Sequence, residues 1–294
     1  MTIREYLEYL RFERNYSART IGEYGKDLAA FESYFKKLDG HLSWESVDSD
    51  VIRDWMESMM DKGNIATSIN RRLSALRSFY RFALSRGMVS TDPTRRIQGP
   101  KRERYLPQFV READMDALLV DSMWDMADYG DVLARTLVTL FYETGLRAAE
   151  VIGLDDKDAD FIAMQLKFTG KGDKQRVVPF GDELAGVLRG YMAMRDEKTV
   201  RTTPALLVSR KGSRLTYWQV HYIIEKHLSR VCTLSKRSPH VLRHTFATAM
   251  LNHGAELEGL KKLLGHSRLD TTEVYTHTSF EQLRKVYKSA HPRA

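Results

Sequence analysis

The stretch that decides the fold is Gln165-Leu166-Lys167-Phe168-Thr169 and Gln175-Arg176-Val177-Val178-Pro179, joined around Gly170-Lys171-Gly172-Asp173. Between Phe161 and Phe180 the helical apolar period breaks, and a glycine-rich turn separates two short strand-like runs. It reads as an antiparallel hairpin with Lys171 at its tip. Nearly everywhere else the period is helical. The expected fold is therefore mainly α, with one small antiparallel sheet in an α+β second domain.

Toward the N-terminus, Ile21, Tyr24, Leu28, Phe31, Phe35 and Leu38 are spaced by threes and fours. They form one face of a helix over 17–37, with Ser17 as its N-cap. A second helix over 49–61 carries the stripe Val51, Ile52, Trp55, Met56, Met59 and Met60, the methionines serving as core filler. A third presents Ile69, Leu73, Leu76, Tyr80 and Leu84 and ends at Gly87. These predict an all-helical domain over 1–98. Between Ala66 and Arg104 ten bases stand against two acids. One sign of charge opposite an apolar stripe suits a phosphate backbone, giving affinity but little base reading. Residues 99–107, Gly99-Pro100 to Pro107, are a basic, proline-bounded linker, and 108–294 form the second domain.

In that second domain helices are predicted near 111–121, over 132–143 up to Thr144-Gly145, from Arg147 through Glu150, over 182–195 and over 216–230. A short strand is expected near 206–209, and the remainder is helical. There is no internal repeat or low-complexity tract.

The 294 residues leave room for two domains, and 43% hydrophobic with 29% charged residues is a soluble globular composition. A net charge of +7 and a pI near 9.3 favour an anionic partner. The lone Cys232 rules out an intramolecular disulfide and reads as a buried spectator. Met1–Tyr6 lacks a signal-peptide pattern, and no apolar run approaches the roughly 18 residues of a membrane span. A reducing cytoplasm is the expected compartment.

Chemistry concentrates near the C-terminus, in Pro239-His240-Val241-Leu242-Arg243-His244, Leu264-Gly265-His266 and Tyr275-Thr276-His277. His240 and Arg243 share a helix face. His244 stands four residues from His240, the spacing of a zinc pair, but no companion glutamate is present and Arg243 would set a fixed charge beside the ion. An anion fits better, gripped by the planar fork of arginine. No metal or cofactor is expected. Taken singly, the rest are bland: Arg147 has Glu150 as an obvious ion-pair partner, Lys171 is a turn lysine, and a tyrosine such as Tyr275 ordinarily packs.

The ordered set is less bland. Thr144-Gly145-Leu146-Arg147, Gly170-Lys171-Gly172, His240 to His244, and Leu264-Gly265-His266 with Tyr275 nine residues on resemble the tyrosine recombinases of the phage integrase family. Ser17-x-x-Thr20-x-x-x-Tyr24-x-x-Asp27-Leu28 is similar to the opening helix of that family's SAM-like core-binding domain. All six family catalytic positions hold the expected residue. The resemblance implies that Arg147 and Arg243 grip the scissile phosphate, His240 takes the tyrosine proton and His266 donates a hydrogen bond. Lys171 protonates the leaving oxygen, and Tyr275 forms a 3′-phosphotyrosyl link. Glu150 supports the site, and neither ATP nor metal is required. DNA contacts are expected from Thr20, Arg71, Arg72, Arg77, Lys101, Arg102, Lys174, Arg176 and Arg214.

The length, the hairpin and the missing arm-binding domain look like the Xer group, and Ala290–Ala294 looks like the ending of one of its paired members. The group implies a homo- or heterotetramer on double-stranded DNA, with a paired Xer recombinase and an activating cell-division DNA translocase. It implies chromosome or plasmid dimer resolution, with a mobile-element integrase or an invertase as the alternative. A stripe of Phe280, Leu283 and Val286 could dock in a neighbouring subunit or pack in cis. Outside the family, a binding-only protein of the same fold, a topoisomerase or an RNA- or membrane-binding helical protein would explain less of the set.

Overall fold

The structure, a computed structural model, describes residues 2–101, 108–169, 175–265 and 277–293, with backbone alone at 169, 175 and 277–282. The chain divides into two compact units, Met1–Tyr105 and Leu106–Ala294. Lys171, His266 and Tyr275, with Arg102 and Lys174, lie outside the described residues.

The first unit holds α1 (Ile3–Phe12), α2 (Ala18–Leu38), α3 (Ser49–Asp61) and α4 (Ala66–Ser85). Helix α1 was not expected, although Thr2 and Glu5 form a complete capping box at its start and Tyr6 and Leu10 bury one turn apart. Ser17 caps α2 by accepting from the Thr20 amide. The core is aromatic: Phe31, Phe35, Trp44, Trp55 and Phe79 pack together, with Trp44 and Phe79 centroids 4.4 Å apart. Leu38, Met60 and Leu84 were expected inside but are 53%, 44% and 46% exposed. Each lies within one residue of a helix end, where the apolar period outruns the core.

The second unit holds α5 (Glu112–Leu119), α6 (Tyr129–Thr144), α7 (Ala148–Gly153), α8 (Asp182–Lys198), α9 (Tyr217–Leu228), α10 (Pro239–Asn252), α11 (Leu257–Leu264) and α12 (His277–Ala290). Strands β1 (Ala159–Asp160), β2 (Gln165–Thr169) and β3 (Gln175–Pro179) form an antiparallel sheet in that order, with Phe168 opposite Arg176. Helix α6 is buried on nearly every face, covered by α8, α9 and α10. The strand expected over 206–209 is absent; only single bridges, Asp155 to Ala205 and Val208 to Arg214, form there. Leu206, Leu207 and Val208 are fully buried, and their backbone groups are taken up one at a time. Leu206 donates to the Leu154 carbonyl at 2.9 Å. Val208 donates to Tyr191 Oη at 3.0 Å, and its carbonyl accepts from Tyr129 Oη at 2.8 Å. Cys232 is only partly buried, and its Sγ donates to the Leu228 carbonyl at 3.2 Å.

Helix α12 packs on its own chain. Leu283, Tyr287 and Ala290 enter a core with Phe246, Met250, Leu260 and Leu263, and Val286 packs against it; the side chain of Phe280 lies outside the described residues. Tyr287 Oη donates to the buried Glu143 carboxyl at 3.2 Å. His291 stacks on Tyr287 and Phe246 and bonds through Nε2 to the Tyr142 carbonyl at 3.3 Å. Burial, with Glu183 nearby, pushes the Glu143 pKa up to about 8, whereas burial lowers that of His291 to about 4. The raised carboxyl favours the fold at low pH, and that contribution is lost as pH rises from the ordinary 4.5 through about 8. The lowered histidine acts in the opposite sense, and its contribution is complete above 6.5. Stability should therefore fall between pH 6.5 and 8 by on the order of 1 kcal/mol, and Glu143→Gln should flatten that decline. Urea midpoints at the two pH values test this; equal slopes in both proteins would refute it.

Candidate active site

Two left-handed glycines build the site. Gly145, at φ +59°, ends α6, and a Cβ there would run into the Phe246 ring of α10. The absent side chain lets the end of α6 lie against α10, while Leu146 buries fully and turns Arg147 outward. Gly265, at φ +64°, ends α11, and a Cβ there would overlap the Arg176 guanidinium.

Arg243 projects from α10 into this corner and is 8% exposed. Its Nη1 donates to the Gly145 carbonyl and its Nη2 to the Leu264 carbonyl, both at 2.6 Å. Arg147 is the N-cap residue of α7, with 42% of its side chain exposed. Its amide and Nη1 donate to the two oxygens of Glu150 at 2.8 and 3.0 Å, and its Nη2 reaches the Gly265 carbonyl at 3.3 Å. So the ion pair expected of Arg147 forms, and it aims the guanidinium toward the Gly265 turn. Arg176 Nη2 lies 3.5 Å from the same Glu150 carboxylate.

Three guanidiniums thus gather around one carboxylate. Burial first, then the nearby Arg147 and Arg176, pull the Arg243 pKa down to about 10. His240 is exposed at the start of α10. Protein packed around its ring, and then His244, Arg243 and Arg147, hold its pKa below the ordinary value. A neutral imidazole beside fixed cations can accept a proton, and the cations can take an anion. Among the described residues no group of three or more His, Cys, Asp or Glu is placed to hold a metal ion.

The expected DNA contacts divide. Arg71 makes a two-point ion pair with the nearly buried Asp27, with Arg72 Nε 3.7 Å from the same carboxylate. Arg77 donates to the Ile97 carbonyl at 2.5 Å. Thr20 bonds Ser17 within the α2 cap, and Lys101 is exposed. Arg214 is tied to the Ile152 and Leu154 carbonyls and to Asp155, which fastens the start of α9 to the end of α7. Arg176 is 9% exposed and faces Glu150 and the Gly265 turn.

Residues 113–282 match the phage integrase family, and residues 3–87 match the phage integrase N-terminal SAM-like domain. The chain is 36% identical to tyrosine recombinase XerC of Chlorobaculum tepidum over 315 residues, covering 99% of this chain and 94% of that protein. It is 35% identical to tyrosine recombinase XerD of Staphylococcus epidermidis over 295 residues, covering 99% of each. A crystal structure of the XerH site-specific recombinase bound to palindromic difH substrate superposes with a TM-score of 0.72 at 21% identity, covering 97% of this chain and 83% of that one. That likeness is one of fold. The chain belongs to the phage integrase family. Within it, it is a tyrosine recombinase of the Xer type, an enzyme that recombines DNA at specific sites.

If the Gly145 approach sets the position of Arg147 against Arg243, Gly145→Ala should cost about 2 kcal/mol or more, from the left-handed backbone and the Phe246 overlap together. A urea midpoint equal to that of the wild type would show that the turn is not so constrained.

Proposed function

We propose that Arg147, Lys171, His240, Arg243, His266 and Tyr275 carry out the strand exchange, supported by Glu150. The convergence of Arg147 and Arg243 from different helices, in a cluster with more positive than negative charge, carries this reading. The tyrosine hydroxyl, with a pKa near 10, needs both a proton acceptor and a polarised target. His240 accepts the Tyr275 proton while the phenolic oxygen attacks phosphorus. The phosphorus–5′ oxygen bond breaks, and Lys171 supplies that oxygen's proton. Arg147 and Arg243 hold the non-bridging oxygens as charge builds in the transition state, with a hydrogen bond from His266. A 5′-hydroxyl of the partner duplex then attacks the 3′-phosphotyrosine, and the bond is resealed without a cofactor.

The substrate is double-stranded DNA, and exchange between two duplexes takes four active sites, hence a homotetramer, or a heterotetramer with a paired Xer recombinase. The net charge of +7 supports DNA as the partner. Among the described residues no helix is long and apolar enough to cross a membrane, which is compatible with action in the cytoplasm. We place this exchange in the resolution of chromosome or plasmid dimers, with activation by a cell-division DNA translocase, as the resemblance to the Xer group implies.

Incubation with a nicked suicide duplex of the chromosome's own resolution site should yield a denaturant-stable protein–DNA adduct. No adduct with the wild type, or one that persists in Tyr275→Phe, sinks the mechanism. The adduct rate should fall on the acid side with an apparent pKa below the ordinary 6.5 of histidine, and His240→Gln should remove that limb.

A further inference from the structure

Arg176 is nearly buried among the site residues. It stands on β3 opposite Phe168, with its guanidinium carbon 4.8 Å from the Phe168 ring centroid. From there it reaches Glu150 at 3.5 Å and abuts Gly265. The Glu150 carboxylate is thereby gripped from two sides, by Arg147 and by Arg176. Arg147 holds both Glu150 oxygens from within its own turn, and Arg176 braces the same carboxylate from the sheet, tying that turn to β3. Arg176 also lies where three chain segments meet. One is the strand leaving the Lys171 turn, one is the start of α7 that carries Arg147, and one is the end of α11 that precedes His266.

We propose that Arg176 is a positioning residue, which fixes Glu150 and through it the Arg147 guanidinium, and which seats the Gly265 turn. The inference rests on the recombinase chemistry proposed above. A planar guanidinium can lie on an aromatic ring and reach a carboxylate edge-on at the same time. Lysine offers a point charge without that plane, so it is a poor substitute.

The test is single-turnover adduct formation on the suicide duplex, over a range of DNA and salt concentrations. Arg176→Ala should lower the rate at saturating DNA by about 10- to 100-fold, as loss of a supporting partner does elsewhere. DNA affinity and its salt dependence should stay as in the wild type. Arg176→Lys should remain nearer to alanine than to arginine. Arg176→Ala combined with Glu150→Gln should be no slower than the slower single variant, because both break one link.

A wild-type rate in Arg176→Ala overturns the proposal, as does full rescue by lysine. So does a salt slope lower by about 0.9 with an unchanged saturating rate, the mark of a lost phosphate contact. If Arg176→Ala does not fold by circular dichroism, Phe168→Leu keeps the arginine and removes its platform; a smaller drop in the same rate is expected, and no drop overturns the proposal. If the wild type forms no adduct, the recombinase mechanism itself fails, whereas a normal wild-type adduct with an unaffected Arg176→Ala rate removes only the role of Arg176.

Discussion

A buried cation held by two helix ends governs the second unit. Burying a guanidinium is costly unless its N–H groups find acceptors. The Arg243 side chain finds them in the Gly145 and Leu264 carbonyls, at the C-terminal ends of α6 and α11. The backbone dipoles of a helix place partial negative charge at that end, so both helices offset the burial. The arrangement requires that each helix stop sharply, and a left-handed glycine stops each one. Position therefore passes from two glycine turns to one arginine, and from that arginine to everything arranged beside it.

The electrostatic consequence is a surplus of positive charge. Arg147 and Arg176 share Glu150, and Arg243 has its acidity raised by burial and by the other two. Like charges this close oppose one another, and the fold tolerates them because packing and carbonyl bonds restrain each group. Under the proposed chemistry, an incoming phosphodiester would relieve that repulsion. Donors fixed before the substrate arrives need no reorganisation when charge builds on the phosphoryl oxygens, which is how such groups accelerate a reaction. His240, at the rim of the same cations, is biased toward its neutral form, the form with a ring nitrogen free of a proton.

Much of this was legible in the chain itself, where local pattern and tertiary need agree. The hairpin runs and the helix stripes of the first unit follow from period alone, and the Gly145 turn from its composition. Where they diverge, sequence misleads. Leu38, Met60 and Leu84 keep the period past the edge of the core. The stretch 206–209 is as apolar as a strand, yet Tyr129 and Tyr191 supply hydrogen bonds that a neighbouring strand would have made. Helix α1 was overlooked although its capping box was in plain view. Arg176 reads in the sequence only as one more base for DNA. Only the fold brings Phe168, Glu150 and Gly265 around it, and nothing in the spacing of those residues announces that they meet.

The central claim is that Arg147 acts by meeting negative charge on the scissile phosphate. A duplex whose scissile phosphodiester is replaced by a methylphosphonate lacks that charge and tests the claim directly. On the ordinary phosphodiester, Arg147→Ala should lose about 100-fold or more in cleavage rate. On the methylphosphonate that lacks the oxygen the arginine holds, the same substitution should cost far less. An equal loss on both substrates would contradict the account, because the arginine would then be serving something other than the phosphate.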